Sequence, residues 1–116
     1  MTTSTPSMSQ IIREAYANRG ITITELAESR IRRHIFRNAH IVDNFATSRV
    51  SQVALPLLSA HLFRDISTTE LSAVEKDLSS ELGITVRIAL CRCSGLPFFK
   101  TTLIQTPRRK LNDDNS

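Results

Sequence analysis

Residues 21–45 are the longest stretch of the chain that lacks glycine and proline and also carries two chemically different sides. On an α-helix, one side would hold cationic side chains three or four positions apart, here called the basic row: Arg30, Arg33, Arg37 and His40. Another side would hold apolar side chains, namely Ile31, Ile35 and Val42, with Ala39 at its edge. Such a helix buries its apolar side and leaves the cationic side available for binding. We therefore expect the rest of the fold to pack around this stretch.

The composition fits one globular domain. Of the 116 residues, 41% are hydrophobic and 22% are charged, and both fractions are typical of a folded domain. Tryptophan is absent and aromatic residues make up 5%, so the core must consist mainly of isoleucine, leucine and valine. The net charge of +4 depends mostly on arginine, whose planar guanidinium suits phosphate and carboxylate groups. The charge therefore favours an anionic partner.

The chain shows no membrane or export signal. No apolar run approaches the roughly 20 residues needed to cross a bilayer. The N-terminal sequence MTTSTPSMSQ lacks the basic and apolar regions of a signal peptide. Cys91 and Cys93 are separated by one residue, which is not a disulfide framework and indicates a reducing compartment. We expect a cytoplasmic protein that contacts no membrane.

Capping signals mark the first two helices. Ser7 lies at the start of a first helix with an apolar face, and Gly20 can end that helix in a left-handed conformation. Thr22 and Glu25 form a capping box that begins a second helix. Acidic residues precede the arginines in this helix, as the helix dipole favours. The pattern predicts that the second helix reaches residues 42–46.

A further capping box predicts the helix that begins after Ser67. Apolar residues recur there at helical spacing, and Gly83 supplies the end. Between these helices, the sequence favours a short helix over residues 55–62, with Pro56 in its first turn because proline cannot lie in a helix interior. The alternative is a kinked helix that begins at Ser48.

The C-terminal part alternates apolar and polar residues, as strands do. Residues 84–93 predict one strand, residues 94–97 a turn around Gly95, and residues 98–106 a second strand. Residues 49–54 are predicted to be irregular or a short strand. A hairpin alone is marginally stable, so it must pack on the helices or pair with a second copy.

The predicted fold class is α+β, with three or four helices followed by a C-terminal β-hairpin. A winged helix is one arrangement of these elements, with the hairpin as the wing. The single domain spans residues 7–106. It lies between a disordered N-terminus at residues 1–6 and a disordered polar tail at residues 107–116.

The order of a first helix, Gly20 and the sequence ITITELAES resembles the opening of small bacterial helix-turn-helix regulators. In that family, a glycine-containing turn precedes a short helix with the pattern I-T-x-x-E-L-A. The resemblance covers residues 9–29 and implies DNA binding. The sequence departs from the family after Ala27, because SRIRRHIFRN continues without the tight turn that precedes a recognition helix. A fused helix would remove the recognition-helix assignment and retain the basic row.

We predict a small transcription regulator that binds DNA as a homodimer. Helical arginines three or four positions apart can reach phosphate oxygens along a DNA groove. The predicted DNA-binding residues are the basic row and one flanking arginine: Arg30, Arg32, Arg33, Arg37 and His40. A dimer is expected because DNA sites are often two-fold symmetric.

The alternative is a non-enzymatic adaptor or accessory protein that binds another protein through its sheet and basic helix. Its hallmark would be an apolar surface on the sheet, built from Phe98, Phe99, Leu103 and Ile104. A third alternative is an RNA-binding module, which requires exposed aromatic side chains for base stacking.

The sequence has no catalytic or metal-binding pattern. Ser29, His34 and Asp43 contain the groups of a triad, but their helical spacing does not bring them together. Cys91 and Cys93 would share one side of a strand and could bind a metal with a histidine. Structural zinc, however, normally has four ligands, and the chain has no second cysteine pair. We therefore expect no enzyme activity, no cofactor and no metal.

Overall fold

The computed structural model describes residues 8–105, and the predictions of disorder for residues 1–6 and 107–116 lie outside that range. Within it the elements follow in this order: α1 (Met8–Ala17), α2 (Ile23–Arg37), α3 (Ala39–Ala46), β1 (Gln52–Ala54), β2 (Leu58–Ser59), a 3-10 helix (His61–Phe63), α4 (Thr68–Leu82), β3 (Thr85–Cys93) and β4 (Leu96–Ile104). The four helices and the C-terminal hairpin confirm the predicted α+β class. No helix in this part of the chain is long and apolar enough to cross a bilayer.

Helices α2 and α4 begin where their capping boxes predict. The Thr22 hydroxyl accepts the N–H of Glu25, and the Glu25 carboxylate accepts the N–H of Thr22, both at 3.0 Å. Ser67 and Glu70 exchange the same two bonds at 3.1 and 2.9 Å. Gly83 follows α4 with a φ of 69°, a left-handed conformation that glycine adopts without steric penalty. Local sequence therefore sets the start of both helices and the end of α4.

The second helix is shorter than predicted because it breaks at Asn38. Helix α2 ends at Arg37, and α3 begins at Ala39 as a separate helix. The Asn38 side-chain amide donates to the His34 carbonyl at 2.8 Å, and the Asn38 backbone leaves the helical region with φ −111° and ψ 30°. Asparagine side chains compete with the helical backbone in this way. The prediction of one helix to residues 42–46 is therefore wrong, and two helices share the basic row.

The segment before α4 forms a sheet edge, and the predicted helix over residues 55–62 is wrong. Strand β1 pairs antiparallel with residues 102–104 of β4, as the expected short strand at residues 49–54 allowed. Strand β2 pairs with the beginning of β4, and the register between the two pairings shifts by one residue. The intervening residues form a bulge that contains Pro56. Proline lacks the N–H of a ladder bond, so it is tolerated at a bulge of an edge strand.

Strands β3 and β4 form the predicted hairpin, joined by Ser94 and Gly95. Both residues have positive φ, 54° and 80°, as a type I′ turn requires. The turn is tighter than the predicted residues 94–97, because Pro97 already lies in β4. The Pro97 carbonyl accepts the N–H of Ala60 at 3.0 Å, just where β2 has ended. The missing N–H of Pro97 therefore interrupts no strand pairing.

Strand β4 is the centre of the sheet, with β3 on one side and β1 and β2 on the other. The helices pack on one face, and alternate strand residues fill the core beneath them. The largest fully buried side chains include Phe63, Phe99, Ile31, Leu78 and Leu103. Phe98 and Ile104 lie on the opposite, open face and are half-buried. The predicted apolar sheet surface therefore does not hold for Phe99 and Leu103, which belong to the core.

Candidate functional site

A groove runs between α2 and β2, along the side of α2 that points away from α4. Its volume is about 250 Å³, and its lining mixes cationic, polar and apolar side chains: Leu26, Ser29, Arg30, Arg33, His34, Arg37 and Leu58. We call it the arginine groove. The core residues of α2 hold it in this orientation, since Ile31 is fully buried and Ile35 is nearly so. Packing of the apolar side therefore presents the arginines to solvent.

The guanidinium groups of Arg30, Arg33 and Arg37 are exposed and uncompensated. Within residues 8–105, none of the three makes an ion pair or a side-chain hydrogen bond. Like charges three or four positions apart on a helix repel one another and destabilise it. No contact in the described part of the chain relieves this repulsion. An anionic ligand in the groove would relieve it.

His34 connects α2 to the opposite wall of the arginine groove. Its Nε2–H donates to the Pro56 carbonyl at 2.7 Å, and because a carbonyl only accepts, the ring proton lies on Nε2. The bond holds the bulge against α2 and brings Leu58 beside the arginines. The segment that the sequence predicted to be a helix is therefore the one that supplies the wall opposite α2, through Leu58.

Arg32 lies on the other side of α2 and faces α4. Its Nη2 donates to the Glu28 carboxylate at 2.7 Å and to the Glu81 carboxylate at 2.9 Å, and its Nε also donates to Glu81. The hydrogen bond with Glu81 is the main reason that the pKa of Arg32 is raised and that the pKa of Glu81 is lowered. The guanidinium of Arg32 is therefore already engaged within the protein.

Glu28 shows how crowded this side of α2 is. Burial raises the pKa of the Glu28 carboxyl, and the neighbouring Asp77 carboxyl raises it further, while Arg32 acts in the opposite direction. Arg32 therefore joins a carboxylate of α2 to one of α4, and its charge serves the packing of these helices.

The arginine groove brings together three of the five predicted DNA-binding residues. His40 lies on α3, is exposed, and does not line the groove, and Arg32 is held against α4. Leu26 and Ser29 also line the groove and were not predicted, although each lies four positions, about one helical turn, before an arginine of the groove. Leu58 was not predicted either, because its segment was expected to be a helix.

A second cavity is apolar and lies between α2, α3 and α4. Its volume is about 180 Å³, and its lining is mainly hydrophobic: Arg32, Ile35, Phe36, Ala39, Val42, Asp43, Leu78, Glu81 and Leu82. Phe36 at its margin is 73% exposed. The break at Asn38 helps to form this cavity, because α3 does not continue the line of α2. It offers contact area to an apolar group and few hydrogen-bond donors.

The thiols lie on the open face of the sheet. Cys91 is half-buried and Cys93 is exposed, both unpaired. Within residues 8–105, no group of three or more histidine, cysteine or acidic side chains is arranged to hold a metal ion. His34 binds Pro56 at the opposite edge of the sheet and is not available to the thiols.

The turn that would separate a recognition helix is absent between residues 23 and 37, where α2 runs without interruption. The basic residues therefore extend the same helix that carries the I-T-x-x-E-L-A pattern. Comparison of the chain with protein-family models, with curated proteins and with solved structures gave no match in any of the three. The arginine groove therefore has to be interpreted from its own geometry.

Proposed function

We propose that the protein binds DNA through the arginine groove and acts as a small transcription regulator. The observation that carries this proposal is the set of three exposed guanidiniums, Arg30, Arg33 and Arg37, without anionic partners within residues 8–105. Guanidinium groups bind phosphate oxygens with a planar pair of donors. Among common anionic ligands, a nucleic acid backbone offers phosphates in a row.

The spacing of the arginines suits a phosphate backbone. From Arg30 to Arg37 the helix rises by about 10 Å, at roughly 1.5 Å per residue. One DNA strand advances by about 3.4 Å per nucleotide along the duplex axis, so a similar length contains about three phosphates. We assign the arginines mainly to backbone contacts, because α2 is packed into the domain and no separate recognition helix follows it.

We further propose that the protein is cytoplasmic, that it regulates transcription and that it binds DNA as a homodimer. Backbone contacts position a protein on DNA without reading its sequence, so specificity requires base contacts or a second half-site. A symmetric dimer provides two copies of the arginine groove, one for each half-site of the DNA.

The test measures binding of labelled duplex DNA at several salt concentrations, with wild type and a triple variant, Arg30→Gln, Arg33→Gln and Arg37→Gln. Each neutralised phosphate contributes close to 0.9 to the slope of log affinity against log salt, so the variant should lose up to about 3 from that slope. The fold should be retained, because the three side chains are exposed and make no hydrogen bond or ion pair within the described residues. Circular dichroism and thermal unfolding check this.

The matched control replaces three other exposed arginines, Arg19, Arg49 and Arg64, by glutamine. It changes the net charge equally and leaves the groove intact. A groove site predicts a much smaller change in slope for the control than for the groove variant. Equal losses would indicate nonspecific attraction to the whole surface, and a groove variant with wild-type affinity and slope would contradict the proposal.

A second candidate function is that of an adaptor protein that binds an acidic protein partner. The apolar cavity beside exposed Phe36 favours it, as does the open sheet face with half-buried Phe98 and Ile104. This candidate predicts no DNA binding by wild type even at low salt. It also predicts an acidic partner that is lost from the groove variant and retained by the control.

A further inference from the structure

Strand β3 is an edge of the sheet, and half of its backbone groups point away from β4. Cys93 and Leu96 are paired across the two-residue turn, and pairing continues to Thr85 and Ile104. In such a hairpin, the odd-numbered residues of β3 exchange hydrogen bonds with β4. The even-numbered residues of β3 therefore direct their N–H and C=O groups outward.

Side chains of α4 cover the first part of this edge. The N–H of Val86 donates to the Ser79 hydroxyl at 2.8 Å, and the N–H of Ile88 donates to the Glu75 carboxylate at 2.7 Å. These bonds confirm the outward direction of the even-numbered residues. They also prevent another strand from pairing with β3 at these positions, as covered edges do.

No described residue covers the remainder of the edge. Leu90 and Arg92 follow Val86 and Ile88 in the same alternation, and no side chain within residues 8–105 accepts their N–H groups. We call the outward N–H and C=O groups of Leu90 and Arg92 the free edge. An unpaired edge of this kind is a template for another strand.

We propose that the free edge pairs with the free edge of a second copy of this chain, antiparallel, about a two-fold axis at Cys91. In this register Leu90 lies opposite Arg92 of the second copy, and each such pair exchanges both N–H···O bonds. The sheets of the two copies join into one. The proposal does not depend on DNA binding, because the arginine groove lies at the other edge of the sheet, beside β2.

Two neighbouring registers are less favourable. An axis at Leu90 would require the N–H of Ile88, which Glu75 already holds at 2.7 Å. An axis at Arg92 would place two guanidiniums directly opposite each other, and like charges in that position destabilise a strand pair. The axis at Cys91 uses the free groups, leaves the α4 contacts intact and separates the arginines.

This register predicts which thiols meet. Cys91 lies opposite Cys91 of the second copy at a non-hydrogen-bonded position, where Cα atoms are about 4.5 Å apart, within the range of a disulfide. Cys93 lies opposite Ala89 of the second copy and has no thiol to meet. Within each chain, both thiols are unpaired and at least partly exposed.

The first experiment treats the full-length protein with diamide, which takes two electrons and two protons from a pair of thiols and leaves a disulfide. Non-reducing electrophoresis should show a rapid covalent dimer for wild type and for Cys93→Ser, and at least a tenfold slower reaction for Cys91→Ser. Adding Ala89→Cys to Cys91→Ser should restore rapid cross-linking, because residue 89 then meets Cys93. Rates that follow Cys93 instead of Cys91 would overturn the register.

The second experiment measures the dimer without cross-linking, by sedimentation of Arg92→Pro beside its matched control Arg92→Ala. Proline removes an outward N–H and no bond to β4, whereas alanine removes the charge and retains the N–H. In Arg92→Pro, each of the two symmetric pairs between residue 90 of one copy and residue 92 of the other loses one hydrogen bond. Dimerisation should therefore weaken at least about tenfold. Circular dichroism confirms that the variant folds.

Three results would each overturn the proposal: a monomeric wild type at every concentration tested, equal dimerisation of the proline and alanine variants, or a dimer in which Cys91 is no more reactive than Cys93. The cross-linking series remains decisive if Arg92→Pro does not fold, because its variants leave the backbone of the edge unchanged.

Discussion

The two sides of α2 carry the same kind of residue and use it differently. On the side that faces α4, Arg32 is bound by Glu28 and Glu81, at 2.7 and 2.9 Å. On the side that faces β2, Arg30, Arg33 and Arg37 have no anionic partner within residues 8–105. Arg32 and Arg33 are neighbours in the sequence, but Arg32 has anionic partners and Arg33 has none within the described residues.

Helix α4 explains the difference. It carries four acidic residues, and one of them, Glu70 of its capping box, also binds an arginine of α1, Arg13, at 2.9 Å. Arginines that face α4 are therefore neutralised, whereas the opposite wall of the arginine groove contributes the Pro56 carbonyl, which His34 binds, and the side chain of Leu58, neither of which is anionic. Charge on a helix indicates a ligand site only where the neighbouring element does not already supply the counter-charge.

Among the variants that test this difference between the two sides of α2, Ile31→Ala should have the largest effect, and that effect is on stability. Ile31 is fully buried beneath both sides of α2, so the substitution should lower the free energy of unfolding by about 2–5 kcal/mol through lost burial and the cavity that remains. Urea unfolding measures it. Because Ile31 supports both sides of α2, the variant should lose DNA binding at the same, lower urea concentration at which it unfolds. A change below about 1 kcal/mol would mean that α2 does not pack as described.

A comparison of Arg32→Gln with Arg33→Gln should distinguish the two sides of α2, with effects smaller than that of Ile31→Ala. Arg32→Gln removes the ion pairs with α4, so it should lower the melting temperature and leave the salt slope of DNA binding unchanged. Arg33→Gln removes a charge that repels Arg30 and Arg37, so it should not lower the melting temperature, and it should reduce the slope by about 0.9, the contribution of one phosphate. If both variants lower the melting temperature, or both reduce the slope, the division into paired and unpaired arginines is incorrect.

The smallest effect concerns pH and the second paired arginine, Arg13. Its hydrogen bonds, followed by the backbone N–H of Ser67, lower the pKa of the Glu70 carboxyl. A lowered folded-state pKa stabilises the fold above the ordinary pKa of about 4.3, and this contribution is lost as pH falls through the folded value. Glu70→Gln should therefore differ from wild type most near neutral pH and progressively less below about pH 4.

The control for this measurement is Glu25→Gln, which alters the capping box of α2. Glu25 accepts the N–H of Thr22 as Glu70 accepts that of Ser67, but no arginine pairs with it within residues 8–105. The raised pKa of Glu28 changes stability with pH in the opposite direction. This contribution is the same in wild type and in both variants, so it cancels when the two variants are compared. Identical pH profiles for the two variants would show that Arg13 has no influence.

Much of the secondary structure was predictable because its signals are local. A capping box involves residues three apart, as in Thr22 and Glu25, and the hairpin turn involves only Ser94 and Gly95. The alternation over residues 84–93 correctly predicted a strand, and Val86 and Ile88, which share one face of it, are buried. Three of the arginines predicted as a site also lie together, since a helix fixes their spacing.

The errors occurred where a distant partner determines the local structure. Pro56 excluded a helix interior, but only pairing with β4, more than forty residues later, selected a strand edge over a helix start. Phe98 and Phe99 are both apolar, and only the register with β2 and β3 decides that Phe99 is buried. A break at Asn38 was equally hidden, because asparagine is tolerated within helices as well as at their ends.

The sequence by itself determined where α2 and α4 begin, that residues 85–104 form a hairpin, and that arginines recur along one side of α2. These properties follow from capping, from glycine at positive φ and from the helical repeat, which act within a few residues. Only the tertiary structure decided that Arg32 is neutralised by α4, that β2 lies opposite α2 across the arginine groove, and that the edge of β3 has no partner beyond Ile88 within residues 8–105. Each of these depends on which element packs beside a residue, and that neighbour lies far away in the sequence.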